Sequence, residues 1–452
     1  MALELDTIAA IATPLGIGGI GIIRLSGNQA LSIATQLFPL KTIPKPRYLY
    51  YGTLTHPTTK DAVDDGCLLF FEQPHSYTGE SVVEFHCHGN PLILNQVLGL
   101  CLELGARLAK PGEFTERAFL HGKLDLTKAE SVGELIHANS QKAQAVALNH
   151  LHGKLYTHIH GIRESLLRIL EQVEGSIDFP DEVEAIDHHA VAQTCTTLLD
   201  EVSKLLATQD FGKWISDGVS CVIVGQPNVG KSSFLNQLLG ENRAIVSAKA
   251  GTTRDFIEAR LSLGGLVFDV IDTAGIREKT SDYIEKLGMK KIKTLLKTAQ
   301  VIFWMVDGSK PLSSADKAIY AQIKHHPTVY ILQNKCDRPT RIQNLPQNRP
   351  VLPISAKTGA GMDHFKARLH HDFTQTLEKS DLNLICNARQ TACLASVSQD
   401  LRHFLANLGS GLEDDVLALD LKQAVQKLGE ITGHAFTEEI LDGIFSRFCV
   451  GK

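Results

Sequence analysis

Apolar residues change their spacing three times along the chain. Over residues 1–118, short β-branched runs (Ile20 to Leu25, Cys67 to Phe71, Val82 to His86) stand between Gly and Pro, a pattern that predicts strands in an α+β domain. From about Leu124 the spacing becomes helical. Between Ala129 and Gly175, Leu135, Ala138, Ala145, Leu148, Leu151, Leu155, Ile159, Ile162, Leu166, Ile169 and Leu170 recur every three or four positions, interrupted at Gly153, and Ala190 to Thr208 predicts another helix. Between Trp214 and Phe373, short apolar runs alternate with helical stretches: Ser220–Val224, Leu266–Ile271, Val301–Val306, Thr328–Leu332 and Leu352–Ser355. That alternation is expected of a doubly wound α/β sheet. Leu382–Ala406 and Val416–Ile444 return to helical spacing.

The expected fold class is therefore α/β plus α and α+β in a multidomain chain. Its parts are an N-terminal α+β domain (1–118), a helical domain split in sequence (119–213 and 374–452), and an α/β domain inserted into it (214–373). A length of 452 residues is too great for one ordinary core. A net charge of −5 gives no bulk attraction to nucleic acid or anionic membrane, so any RNA contact must be local or delegated to a partner. The nine cysteines are scattered and never form Cys-x-x-Cys, which fits free thiols in a reducing compartment, and the cytoplasm is the expected location. The apolar N-terminus lacks a basic leader and is broken by Pro14 and glycines, so it reads as neither signal peptide nor spanning helix, and no membrane association is expected.

The inserted domain carries the chemistry. GQPNVGKS at 225–232 matches Gly-x4-Gly-Lys-Ser, preceded by the strand SCVIV and followed by the helix SSFLNQLL. Gly225 and Gly230 let backbone N–H groups wrap a β-phosphate, Lys231 reaches the β- and γ-oxygens, and the Ser232 hydroxyl ligates Mg²⁺. Asn228, Val229 and Ser233 complete the loop's expected nucleotide contacts. Asp272, Thr273, Ala274 and Gly275 form an Asp-x-x-Gly turn, in which Asp272 holds Mg²⁺ through water and the Gly275 amide meets the γ-phosphate. Asn334, Lys335 and Asp337 (NKCD) place a carboxylate that accepts both hydrogens of guanine N1 and N2, so the expected substrate is GTP. Ser355, Ala356 and Lys357 offer a backbone N–H to guanine O6, and Thr253 in GTTRD is the second expected Mg²⁺ ligand. One position is anomalous. Ile276 follows Gly275 where Ras-like proteins carry the water-orienting glutamine.

ATPLGIGGIGIIRLSG, SYTGESVVEFHCHG, KPGEFTERAFLHGKLDLTKAE, EGSIDFPDE, GQPNVGKSS, AGTTRD, DTAGIRE and the terminal FCVGK together resemble the tRNA-modifying GTPases of the MnmE/TrmE family over nearly the whole chain. The resemblance implies an N-terminal domain that binds tetrahydrofolate and dimerises, a split helical domain and an inserted Ras-like G domain. It implies a K⁺ ion in place of an arginine finger, ligated by the Asn228 side chain and by mainly backbone carbonyls of Ser247, Ala248, Lys249, Ala250, Gly251 and Thr252. It implies a water-orienting glutamate, Glu285 in YIEKLG, with Glu278 as the other assignment. A folate site is implied at Arg24, Glu84, Lys123 and Lys452, with Cys449 of the tail as nucleophile, proton donor or plain pocket wall, for a 5,10-methylene- or 5-formyl-tetrahydrofolate. Two departures stand out: Ile17 and Lys249 occupy positions where relatives carry a charged and an apolar residue respectively.

The implied activity is K⁺-dependent GTP hydrolysis. A homodimer and a flavin-dependent partner, assembled as a heterotetramer, would together add an aminomethyl or carboxymethylaminomethyl group to C5 of the wobble uridine of certain tRNAs. The alternative is a ribosome-assembly or RNA-chaperone GTPase, although no KH element or second Walker motif is evident. His86 and His88 face one way on a strand without a second ligand pair at zinc spacing, and His150, His152, His158 and His160 read as polar helix positions.

Overall fold

Alternation of side chains about a pleated backbone builds the first sheet. The computed structural model describes residues 6–178, 187–241, 259–272, 294–379, 384–410 and 414–452. By contacts the chain divides into two units, one of Met1–Ile136, Asn149–Leu199 and Ser396–Lys452, the other of His137–Leu148 and Asp200–Ala395.

In the first unit, β1 (Ile8–Ile11), β2 (Gly18–Ser26), β3 (Leu49–Thr55), β4 (Ala62–Phe71), β5 (Val82–Gly89) and β6 (Arg107–Leu108) form a sheet in the order β3-β4-β5-β2-β1-β6. Ile23, Leu25, Val83, Phe85, Cys87, Leu68 and Phe70 are buried in one cluster with Ile33, Leu37, Leu94 and Val97 of the helices Ala30–Leu37 and Pro91–Glu103. The intervening positions face the other way, and the β2/β5 register sets Arg24 opposite Glu84. Helical spacing is realised with more breaks than the apolar pattern predicts. The stretch 129–175 is three helices, Leu126–His137, Gln141–Leu151, of which residues up to Leu148 belong to the second unit, and Lys154–Asp178, the last two separated at Gly153, whose φ of 82° belongs to the left-handed region. Val416–Ile444 is likewise two helices, Asp414–Thr432 and Glu438–Phe445, parted at Gly433 (φ 91°), and Thr437 starts the second by accepting from the Ile440 N–H. Lys154–Asp178 packs against Asp414–Thr432. The helix expected from Leu382 begins at Ala388, where Asn387 and Gln390 exchange side-chain hydrogen bonds with each other's backbone N–H.

In the second unit, β7 (Val219–Val224), β8 (Ala259–Leu263), β9 (Leu266–Asp272), β10 (Val301–Asp307), β11 (Val329–Asn334) and β12 (Val351–Pro353) lie in the order β12-β11-β10-β7-β9-β8. All pairs are parallel except β8/β9. The interior strands are nearly continuous hydrophobic runs because both faces are covered, as in Val301–Val306. Strand order reverses at β7, so the loop leaving β7 opens at the switch point where α/β sheets bind ligands. Among the described residues no helix is long and apolar enough to cross a membrane.

Candidate nucleotide and one-carbon sites

The loop after β7 is shaped by close approach. A Cβ on Gly225 would stand 2.4 Å from the Met305 carbonyl oxygen, and one on Gly230, at φ 105°, 2.2 Å from Asn334 Nδ2. Asn228 holds φ 63° without being glycine, a conformation that costs about 1–3 kcal/mol and persists only where neighbours enforce it. The helix Lys231–Glu241 starts directly at the loop's end, so its first N–H groups face the same space. The Lys231 ammonium is buried and donates to the carbonyls of Gly225 (3.1 Å) and Gln226 (2.9 Å). Val229 is buried, whereas Ser232 and Ser233 are exposed.

The residues expected to read guanine clasp this loop. Asn334 donates through Nδ2 to the Val229 carbonyl (2.6 Å) and accepts at Oδ1 from the Ala356 N–H (2.9 Å), tying the phosphate loop to the Ser355–Lys357 loop. Asp337 is exposed and accepts from the buried Ser355 hydroxyl (2.6 Å), which holds its carboxyl below the usual carboxylate range. Lys357 is exposed. Asp272 closes β9 at the sheet's carboxyl edge. Ser247, Ala248, Lys249, Ala250, Gly251, Thr252 and Thr253, the turn residues Thr273, Ala274, Gly275 and Ile276, and Glu278 and Glu285 lie outside the described residues.

The first unit assembles its site from residues far apart in sequence. Arg24 Nε donates to Glu84 (2.8 Å), and Arg24 Nη1 donates to the Gly451 carbonyl (3.3 Å). The guanidinium lies 6.0 Å from the Tyr77 ring and 5.7 Å from the Phe114 ring, within cation–π range of both. The tail is pinned: Val450 bridges to Pro111, the Gly112 and Phe114 N–H groups donate to the carbonyls of Cys449 (3.4 Å) and Lys452 (3.2 Å), and a Cβ on Gly451 (φ 95°) would meet the Ile11 carbonyl at 2.5 Å. The Lys452 ammonium is pushed below the usual lysine range by burial and by Arg24, against the pull of Glu84 and Cys449. The Cys449 side chain is exposed. Lys123 is exposed and its side chain runs beside Gly79, two residues from Tyr77. Arg24, Glu84 and the tail are therefore in one place, with Lys123 bordering the turn that carries Tyr77.

Two participants escape sequence reading. Tyr77, whose hydroxyl shares a hydrogen bond with Thr115 (2.9 Å), sits in SYTGES without a recognisable chemical pattern. Asp307 ends β10 beside the switch point and pairs with Lys335 (2.6 Å); an acidic residue closing an apolar run at the sheet's carboxyl edge was the available signal. Two of the histidines have ordinary partners. His86 meets Glu84 (3.3 Å) and His88 meets Asp64 (2.7 Å), while His150, read from sequence only as a polar helix position, is 2% exposed and 3.6 Å from Glu134, because the last turn of Gln141–Leu151 directs it inward.

Two family models match the chain, one described as GTP-binding protein TrmE N-terminus over residues 7–123 and one as MnmE helical domain over residues 126–449. Proteins named tRNA modification GTPase MnmE from Nostoc sp. and Trichormus variabilis are each 43% identical to it over 456 aligned residues, covering 99% of this chain and 99% and 98% of theirs. One of the same name from Aquifex aeolicus is 42% identical over 451 aligned residues, covering 99% of this chain and 100% of its own. Similarity at that level, over 99% of the chain, means that the chain belongs to the MnmE family of tRNA modification GTPases.

Proposed function

We propose that this GTP hydrolase uses GTP turnover to drive a conformational cycle in which, with a flavin-dependent partner, it installs an aminomethyl or carboxymethylaminomethyl group at C5 of the wobble uridine of certain tRNAs. The observation that carries the reading is the convergence of Arg24, Glu84 and Lys452 on one face of the first sheet. Cations beside a single carboxylate suit a ligand with a glutamyl tail and a pterin edge of donors and acceptors. A tetrahydrofolate derivative, 5,10-methylene- or 5-formyl-, fits that donor set and would supply the one-carbon unit. Lys123 would border it, and Cys449 would be its nearest thiol. The parts are a folate-binding and dimerisation domain (1–118), a helical domain (119–213 and 374–452) and a G domain (214–373). Leu15, Ile17 and Ile20 expose 78%, 96% and 66% of their surface, which supports a homodimer that covers them.

In the G domain the chain's own residues bind and orient. Gly225 to Ser233 present N–H groups to the phosphates. Lys231, now on two loop carbonyls, would exchange them for β- and γ-oxygens. Ser232 and Thr253 are the proposed Mg²⁺ ligands, with Asp272 acting through water. Asn228 with Ser247, Lys249 and Thr252 is the proposed K⁺ site; a bound cation there supplies the charge that an arginine finger supplies elsewhere. Thr273, Ala274 and Gly275 would meet the γ-phosphate, and Glu285 would orient the attacking water through a second water, which leaves Ile276 no hydrogen-bonding duty. The ribosome-assembly alternative has no observation in its favour. Nucleoside analysis of total tRNA from a strain lacking the gene tests the reading: loss of the wobble-uridine modification is expected, and an unchanged nucleoside profile would overturn it.

A further inference from the structure

Asn228 and Lys335 both occupy the left-handed region, at φ 63° and 67°, and they touch: Lys335 Nζ donates to the Asn228 carbonyl at 3.4 Å. The same ammonium donates to Asp307 Oδ2 at 2.6 Å. Asp307 is itself held, its Oδ1 accepting from the Ser309 N–H (3.0 Å) and hydroxyl (2.6 Å). Burial pushes the Asp307 carboxyl up, but the bonds from Lys335 and Ser309 outweigh it and keep the group ionised. A residue whose only task was to cap the turn after β10 would need one oxygen. The second is spent on the lysine.

We propose that Asp307 is a positioning residue that fixes Lys335 against the Asn228 carbonyl, so that the guanine-reading loop sets the orientation of the residue assigned to the activating monovalent cation. The inference rests on the potassium reading for its cation half and on geometry alone for its nucleotide half. Asn334 reinforces the link by holding the next carbonyl, that of Val229. Base recognition and cation activation are thus mechanically joined: Lys335 released from Asp307 no longer holds the strained backbone of Asn228.

The test measures two quantities on Asp307→Asn and on the milder Ser309→Ala, which removes one of the bonds that hold Asp307 without touching the lysine. The first is the dissociation rate of a fluorescent GDP in the full-length protein; the second is the K⁺ concentration for half-maximal GTP hydrolysis. Asp307→Asn is expected to speed GDP release about tenfold, the scale of one lost charge-assisted hydrogen bond, and to raise the K⁺ midpoint several-fold, with Ser309→Ala moving both in the same direction by less. Faster GDP release with an unmoved K⁺ midpoint would overturn the coupling, and two unmoved quantities would overturn any positioning role. Equal wild-type rates in K⁺ and Na⁺ would bring down the potassium reading and the coupling with it, while GDP release would still decide whether Asp307 positions Lys335.

Discussion

The two sites of this molecule are built by opposite strategies. In the second unit the candidate nucleotide site is made of loops at the carboxyl edges of parallel strands, and its phosphate loop is one continuous stretch shaped by Gly225 and Gly230 and tied to the later loops by Asn334. In the first unit the one-carbon candidate site draws Arg24 from β2, Glu84 from β5 and Lys452 from the end of the chain, and its recognition groups are side chains. A loop site can carry its chemistry in a short word of sequence, because neighbours along the chain are neighbours in space. A sheet-face site cannot, because register and tail docking bring its members together. Electrostatic roles divide in the same way. Asp337 is exposed and accepts only from its neighbouring loop, at Ser355, whereas Arg24 and Glu84 retain 17% and 13% side-chain exposure and pair with each other across two strands.

The sharpest way to break the comparison is to remove one site and read both. Deleting residues 449–452 is expected to abolish tRNA modification while GTP binding and hydrolysis persist, since the tail's contacts lie with Pro111, Gly112, Phe114 and Arg24 of its own unit. Paired modification and GTPase assays check it, and full modification by the truncated protein would take the tail out of the site; Cys449→Ser then separates the thiol from Lys452. Next in size, Asp337→Asn is expected to exchange GTP for xanthosine triphosphate, on the order of 10⁴ in the ratio of kcat/KM, because an amide donates to the xanthine C2 carbonyl where the carboxylate accepted from guanine. An undiminished preference for GTP would place base recognition elsewhere. Asn228→Ala is expected to erase a K⁺ over Na⁺ advantage on the order of 10³, the lower end of what an arginine finger contributes. Equal wild-type rates in the two salts would assign the charge to a cationic side chain such as Arg254 or Arg277.

The smallest effect concerns pH and separates the units by stability. In the first unit Glu113 accepts from Arg107 (2.6 Å) and Arg117 (3.0 Å), and Asp6 accepts from the same two arginines (both 2.6 Å). Burial raises both carboxyls, but the guanidinium bonds outweigh it and hold them below their ordinary values of 4.5 and 3.8. A depressed carboxyl stabilises the fold fully above its unfolded value and loses that contribution as pH falls through the folded one. Melting followed from pH 6 to pH 3 is therefore expected to show the first unit weakening below about pH 4.5, and Glu113→Gln to remove much of that slope. A slope unchanged in the variant would assign the acid sensitivity to other carboxylates.

Sequence alone determined whatever depends on neighbours along the chain. The β7 loop and the helix behind it follow from Gly225, Gly230, Lys231 and Ser232, because phosphate binding needs small residues, a cation and a helix start in that order. The strands of both sheets were legible where β-branched runs stood between turns, and the guanine preference where Asn334 and Asp337 followed a strand. Helix breaks at Gly433 and the late start at Ala388 were not legible, since apolar spacing continues across a left-handed glycine or an Asn–Gln cap without a change of period. The residues of the folate candidate could be named only through family resemblance; nothing in the spacing of Arg24, Glu84 and Lys452 relates them. Tertiary structure alone decided that β2 and β5 pair in the register that sets Arg24 against Glu84, that the tail docks where Arg24 holds the Gly451 carbonyl, and that Asp307 shares Lys335 with Asn228. The physical reason is that these contacts join segments distant along the chain: their loop-closure entropy is met by the burial and hydrogen bonding of whole sheets, which no local stretch of sequence encodes.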